Sequence, residues 1–387
     1  MDKILVWGTG NCANFLMKST KKLVDMFNIE IIGFIDNNND KIGKTFYDKP
    51  IYSPQNIKNL PFDSILIYAW DGNFNYTKIY KQLVEDMNIP SHKIGSFAEL
   101  VFEAQKRQRE SLNVRQTRTP VIYDCFPFFN EREILHIRME TLSPFVDYFV
   151  IVEMNQDHRG KSKPYNFLKI ANEFSEYRDK IIYVQPENIP AFSGIGDWTL
   201  ENFQRNCITL GLGSAEPEDI ICISDCDEII NPKILTALRK QQYNYHMEPM
   251  TKILETGALA LEQTYFCYFF NCRLRYKQNT SLIVKYKNLI EPNIIREAKN
   301  FLPHIKDGGW HLTYFGGLER VKIKIKSIVE GTPVSDEDMS YRIKKGLDPY
   351  GREGEIFDTD FLKKEEIDIP NIEKYIEQYP QFYHEID

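Results

Sequence analysis

The sequence predicts an α/β protein made of two parallel-sheet units in tandem, and three observations carry that expectation. Short apolar runs alternate with helical stretches, first at Ile4-Leu5-Val6-Trp7, Glu30 to Ile35 and Ser64 to Ala69, then again at Val121 to Phe126, Tyr148 to Glu153, Ile181 to Val184 and Ile220 to Ile223. Strand, helix, strand in repetition is the pattern of a parallel sheet. Between the two sets, residues 99–118 are polar and charge-rich with neither glycine nor proline, which reads as a helix fading into a linker. Finally, 387 residues exceed what one ordinary core accommodates. The expected division is a first unit over 1–98, a helical linker over 99–118, a larger unit over 119–355, and a tail over 356–387 packed on the larger unit.

Composition narrows the partners. Hydrophobic residues at 42% and charged residues at 27% describe a soluble globular chain, and a net charge of −7 argues against a general nucleic-acid binder. Small molecules or glycans fit better. The seven cysteines are odd in number, scattered and without zinc-site spacing, so they read as reduced core thiols in a reducing compartment. No signal peptide precedes the strand beginning at Lys3, and no apolar run is long enough to span a bilayer, so a cytoplasmic location is expected.

In the first unit, Gly8-Thr9-Gly10-Asn11-Cys12-Ala13 follows a strand, opens a helix, and fits the G-x-G-x-x-G/A fingerprint. Gly8 and Gly10 would let the backbone approach a phosphate at the helix N-terminus, and Asp36, closing the second strand, would take a ribose hydroxyl. The competing reading is tight-turn geometry alone. Through Gly33-Phe34-Ile35-Asp36-Asn37, Lys41-Ile42-Gly43-Lys44 and Pro50-Ile51-Tyr52-Ser53-Pro54 the unit resembles the small Rossmann-like modules attached to bacterial sugar-modifying enzymes. That resemblance implies a nucleotide-sugar site or an assembly role, and leaves self-association through this module open.

The second unit ends its fourth apolar run abruptly in acids, at Ile220-Ile221-Cys222-Ile223-Ser224-Asp225-Cys226-Asp227-Glu228. Four apolar residues without alternation suit a central strand covered on both faces, and ligands collect at the carboxyl ends of such strands. If the chain stays extended, Asp225 and Asp227 face one side together. Two hard oxygen ligands side by side suit Mn²⁺ or Mg²⁺ bridging phosphates. The alternative is that these acids decorate a turn before the helix that Asn231-Pro232 starts.

Six ordered motifs then carry a specific resemblance. Tyr123-Asp124-Cys125-Phe126 with Asn130-Glu131, Val146 to Glu153, Gly160-Lys161-Ser162-Lys163-Pro164, Phe203-Gln204-Arg205-Asn206, Ser224 to Ile229, and Gly308-Gly309-Trp310-His311-Leu312-Thr313-Tyr314-Phe315 resemble glycosyltransferase family 17. This is the family of the β-1,4-mannosyl-glycoprotein 4-β-N-acetylglucosaminyltransferase. The resemblance spans about Pro120 to Gly354 and implies a GT-A-like fold, a UDP-sugar donor, a divalent metal, inversion at the anomeric carbon and a glycan or glycolipid acceptor. It implies Asp227 as the direct metal ligand, Asp225 as a second ligand or a hold on the ribose or donor sugar, and His311 as a further ligand. Arg205, with Lys161 and Lys163, would face the diphosphate, and Asn130, Glu131 and Glu153 the nucleoside. Asp307 and Glu319, with Glu330 behind them, are the candidates for the general base that takes the acceptor's proton. The animal enzymes carry a membrane anchor, and none is expected here. The expected activity is transfer of a sugar, N-acetylglucosamine in the family's known reaction, in surface-glycan or glycoconjugate assembly. The rivals are a non-catalytic nucleotide-sugar-binding or assembly protein on the same folds, and an enzyme whose first unit does separate nucleotide-sugar chemistry.

Overall fold

The expected alternation of strands and helices is present in both halves of the chain. The computed structural model describes residues 2–70, 75–194, 196–240, 252–327, 334–352 and 357–385. The chain divides into two units, Met1–Leu112 with Asn300–Leu302, and Asn113–Lys299 with Pro303–Asp387.

In the first unit the elements run β1 (Lys3–Trp7), α1 (Asn11–Phe27), β2 (Glu30–Ile35), β3 (Thr45–Phe46), β4 (Lys49–Tyr52), β5 (Ser64–Ile67), α2 (Asn75–Lys81), β6 (Ile94–Ser96) and α3 (Phe97–Ser111). The sheet order is β3-β4-β2-β1-β5-β6, parallel apart from the β3–β4 hairpin. Strand β1 lies in the middle, with β2 on one side and β5 on the other, so the turn after Trp7 sits where the strand order switches. Leu5 and Val6 have no exposed surface. Helix α3 has a sharp start for a local reason: the Ser96 hydroxyl accepts the Ala98 N–H at 3.2 Å and the Glu99 carboxylate accepts the Ser96 N–H at 2.5 Å, a capping box. Its face of Phe97, Leu100, Val101 and Ala104 is buried, so these residues pack as a helix of the first unit rather than trailing off as a linker.

The second unit runs β7 (Ile122–Pro127), α4 (Arg132–Leu142), β8 (Tyr148–Val152), α5 (Asn166–Ile170), β9 (Ile181–Val184), α6 (Thr199–Asn206), β10 (Ile220–Ile223), β11 (Glu228–Ile230), α7 (Pro232–Lys240), β12 (Ala258–Cys267), β13 (Cys272–Leu274) and β14 (Gln278–Lys285). It continues with α8 (Pro292–Glu297), β15 (His304–Ile305), β16 (Gly309–Thr313), α9 (Gly317–Ser327), α10 (Asp336–Lys344), β17 (Thr359–Phe361) and α11 (Ile372–Gln378). The main path of the sheet is β11-β16-β12-β14-β10-β7-β8-β9. Strands β10, β7, β8 and β9 are mutually parallel, whereas β14 is antiparallel to both β10 and β12. The aromatic stretch around Tyr265 therefore supplies a mixed half of the sheet, with β12 antiparallel to β14 and parallel to β16.

The apolar run at β10 is buried along its whole length, consistent with a strand covered on both faces. All seven cysteines are free and buried. Among the described residues, no helix is long and apolar enough to cross a membrane.

Candidate active site

A cavity of about 250 Å³ opens at the carboxyl ends of β7, β8 and β10. Its walls are Pro127 to Phe129 after β7, Gln156 to His158 after β8, Trp198, Glu201, Gln204 and Arg205 around α6, and Asp225 to Asp227 after β10, with His311 and Thr313 of β16 and Lys324 of α9 closing it. The chain does not stay extended past Ser224. It turns, with the Glu228 N–H donating to the Asp225 carbonyl at 3.0 Å. Asp225 and Asp227 both reach the cavity, but each meets a different set of partners.

Asp225 lies between two guanidiniums, Arg205 Nη2 at 3.0 Å and Arg296 Nη2 at 3.1 Å, one on each oxygen. Its own N–H donates to Glu228 Oε2 at 2.9 Å, and Glu228 is paired with Arg296 through contacts of 2.9 and 2.5 Å. Arg205 also binds Glu201 at 2.9 Å and Asn293 at 3.0 Å. Burial pushes the Asp225 carboxyl up, but Arg205 and Arg296 outweigh it and hold it well below the usual carboxylate range. Lys299, at the rim of this cluster, has its ammonium pushed down to about 8 by burial and then by Arg296.

Asp227 meets Lys324 Nζ at 2.6 Å on one oxygen and faces His311 Nε2 at 3.4 Å on the other. Burial raises its carboxyl, and Lys324 and then His311 overcome that, keeping it charged. The β-ladder sets this geometry: β11 and β16 pair Glu228 with His311 and Ile230 with Gly309, and the Leu312 N–H donates to the Asp227 carbonyl at 2.7 Å. Gly309 is required for it. Its φ is +133°, and a Cβ there would overlap the Ile229 carbonyl oxygen. His311 Nδ1 is buried without a hydrogen-bond partner among the described residues.

Under the acidic turn lies a side chain that helix periodicity does not reveal. Arg138 of α4 has no exposed surface. It binds Asp124 at 2.8 and 2.5 Å and Ser224 at 2.5 Å, and donates to the carbonyls of Asp225, Cys226 and Glu228 at 3.0, 3.2 and 2.8 Å. One guanidinium thus fixes the path of the whole turn.

The other residues expected at the site fall into three groups. Glu131 lines the cavity, one carboxylate oxygen accepting the Phe129 and Asn130 N–H groups at 3.0 Å each. Lys163 also lines it but is tied at 2.6 Å to Glu153, which is fully buried and further accepts the Asn166 and Phe167 N–H groups and the Tyr183 hydroxyl. Glu153 therefore organises the start of α5 and does not face the cavity. Asn130 borders a smaller neighbouring cavity, its carbonyl accepting from Arg320 at 2.5 Å. Lys161 is exposed and does not line the cavity.

Of the expected bases, Asp307 and Glu319 are not brought to the site. Asp307 is 78% exposed and paired with Lys277 at 2.6 Å, and Glu319 is 77% exposed and paired with Lys322. Asp307 lies at a bend before β16, with a φ of +53°, and its carboxylate is directed to Lys277. Glu330 lies outside the described residues. In the first unit, the Gly8 N–H donates to Ile35 at 2.8 Å, and a Cβ on Gly8, whose φ is +123°, would press on the Tyr68 carbonyl. Gly10 precedes α1 with no side-chain cap. Asp36 is engaged by the Thr9 hydroxyl, Lys41 at 3.0 Å and the Asn38 N–H at 2.9 Å.

For a divalent cation, Asp227 and His311 are a fitting pair, since their facing atoms are near enough to share one ion. Asp225 is turned to its two arginines, and among the described residues no group of three His, Cys, Asp or Glu side chains forms a complete metal cage. Mg²⁺ and Mn²⁺ sites of this kind rely on substrate phosphates and water for the remaining positions.

Comparison with known proteins defines an enzyme of sugar transfer. The chain belongs to glycosyltransferase family 17, whose profile matches residues 65–345. A second profile, C2185-like, N-terminal, matches residues 1–95. No curated protein matches the chain. Among solved structures, UDP-D-quinovosamine 4-dehydrogenase from Vibrio fischeri is similar at 21% identity over 22% of this chain and 70% of that one, with a TM-score of 0.17. The mannosyltransferase PcManGT from Pyrobaculum calidifontis, in complex with GDP-Man and Mn²⁺, is similar at 10% identity over 64% of this chain and 76% of that one, with a TM-score of 0.29. Both scores are too low to transfer a site.

Proposed function

We propose that this glycosyltransferase is an inverting, metal-dependent enzyme that moves a sugar, N-acetylglucosamine first among the candidates, from a UDP donor to a glycan or glycolipid acceptor. The observation that carries the reading is the acidic turn at the cavity floor, with Asp227 facing His311. Electrostatics supports a metal. The cavity is lined by five acids (Glu131, Asp157, Glu201, Asp225, Asp227) against three Lys or Arg side chains (Lys163, Arg205, Lys324), an excess of two negative charges. A dianionic diphosphate would be repelled there without a further divalent charge. Asp227 and His311 would hold that ion, which when bound stabilises the charge developing on the leaving diphosphate.

In the reaction the acceptor hydroxyl attacks the anomeric carbon, the bond to the diphosphate oxygen breaks, and the hydroxyl proton passes to a carboxylate. That carboxylate belongs among Glu131, Asp157 and Glu201, which line the cavity beside the acidic turn, rather than at Asp307 or Glu319. Arg205 orients Asp225, and Phe128, Phe129 and Trp198 offer apolar walls to the nucleoside.

The test is a panel of nucleotide sugars with Mn²⁺, following slow donor hydrolysis without acceptor. UDP released from one donor supports the reading. No UDP from any donor, with no Mn²⁺-dependent thermal shift, rejects it. Among Glu131→Gln, Asp157→Asn and Glu201→Gln, the variant that keeps donor binding and loses acceptor transfer identifies the proton acceptor.

A further inference from the structure

Helix α9 carries one positive charge into the closed end of the cavity, and the fold holds it there. The inner face of the helix, Val321 and Ile325, has no exposed surface and packs with Tyr268, Tyr314 and Met339. One turn before Lys324, the Arg320 guanidinium binds the Asn130 carbonyl at 2.5 Å and Glu133 at 2.9 Å. Residues four apart share a helix face, so the anchored Arg320 aims Lys324 at the site. The ammonium then reaches Asp227 at 2.6 Å, the Thr313 hydroxyl at 3.0 Å, and lies 5.2 Å over the Tyr314 ring. Burial works against its charge, but Asp227 and Glu131 more than compensate, so it stays protonated.

The two other cations of the cavity wall are engaged with groups other than Asp227: Arg205 with Glu201, Asp225 and Asn293, and Lys163 with Glu153. Lys324 alone of the three is paired with the carboxylate to which the proposed reading assigns a divalent cation. An ammonium and a divalent ion compete for one carboxylate. With Asp227 taken by such an ion, the ammonium of Lys324 would keep the Thr313 hydroxyl and have donors free for phosphate oxygens.

We propose that Lys324 is a diphosphate-binding residue, which holds Asp227 before ligand arrives and transfers its ammonium to the phosphate oxygens of a nucleoside diphosphate when a divalent cation takes Asp227. This rests on the reading of the cavity as a metal and nucleoside-diphosphate site. Its consequence is that removing Lys324 acts on the two ligands with opposite sign.

The experiment measures binding of Mn²⁺ alone, and of UDP in saturating Mn²⁺, by titration calorimetry on the full chain and on Lys324→Met and Lys324→Arg. Lys324→Met is expected to bind Mn²⁺ alone more tightly, because its competitor is gone, and to bind UDP with Mn²⁺ about ten- to a hundredfold more weakly, the usual effect of losing a charge-assisted hydrogen bond. Lys324→Arg restores most of the UDP affinity. Tighter Mn²⁺ with unchanged UDP binding overturns the proposal, leaving Lys324 as a counter-charge to Asp227 only. Weaker binding of both ligands, with an unchanged melting temperature, overturns it in favour of a positioning role. If Lys324→Met does not melt cooperatively, Lys324→Gln, which keeps a donor for Thr313, takes its place in the same comparison. Failure of the underlying reading is separately visible, since the wild-type chain then binds no UDP in Mn²⁺.

Discussion

Replacing Arg138 with methionine tests how the acidic turn is held. The substitution removes six hydrogen bonds, to Asp124, Ser224 and the carbonyls of Asp225, Cys226 and Glu228. It leaves the Asp124 carboxylate, which has no exposed surface, as an unpaired buried charge. Breaking a buried pair in this way costs about 3–5 kcal/mol, a large part of the roughly 5–15 kcal/mol that keeps a domain folded. With a urea slope of about 3 kcal/mol/M, the unfolding midpoint of the second unit should fall by about 1–1.7 M. The double variant Arg138→Met/Asp124→Leu removes both charges and should recover about half of the loss, the unsatisfied carbonyls accounting for the remainder. The assay is urea unfolding followed by tryptophan fluorescence and circular dichroism, run beside UDP binding in Mn²⁺. An unchanged midpoint in the single variant, or a double variant no more stable than the single, would refute the assignment of Arg138 as the anchor of the turn.

Gly309→Ala places a Cβ against the Ile229 carbonyl at a φ of +133°; we expect a loss of more than about 2 kcal/mol in urea unfolding, together with loss of UDP binding as the β11–β16 register shifts. Lys299 gives a pH signature. Its ammonium ionises at about 8 in the folded chain against an ordinary 10.5, so between those values the unfolded chain holds more protons and stability rises with pH. Lys299→Met should flatten that rise and stabilise the protein at pH 7 by about 1–3 kcal/mol; an unaltered stability profile between pH 7 and 10 would contradict it.

The parts of this molecule legible in its sequence are those set by local chemistry. Four apolar residues at Ile220 to Ile223 announce a strand buried on both faces because period-two alternation is missing, and the acids that follow mark its carboxyl end. His311 was singled out through the resemblance carried by its Gly-Trp-His motif, and the β11–β16 ladder brings it beside Asp227. What the sequence hides is charge brought in from afar. Arg138 sits between Ile134, Leu135 and Met139 on a helix whose polar positions read as solvent-facing, yet it is sealed beneath the turn. Arg296 and Lys324 come from helices 71 and 97 residues beyond the carboxylates they bind, and no spacing rule links such partners. Asp307 and Glu319 misled for the complementary reason: they are near His311 in sequence, but Asp307 lies at an exposed bend before β16, paired with Lys277, and Glu319 lies in the first turn of α9, where it faces solvent. The sequence left open whether the chain runs extended or turns after Ser224, because the bend depends on the Glu228 carboxylate receiving the Asp225 N–H under the hold of Arg296.

On the proposed reading, Asp227 would anchor a divalent ion and, through it, a nucleoside diphosphate. The most direct measurement is calorimetric titration of UDP into the wild-type chain and into Asp227→Ala, each in Mn²⁺ and again in excess EDTA. Binding is expected only to the wild type in Mn²⁺, with Asp227→Ala retaining a cooperative melt. Equal UDP affinity in Asp227→Ala, or wild-type binding undiminished by EDTA, would contradict it.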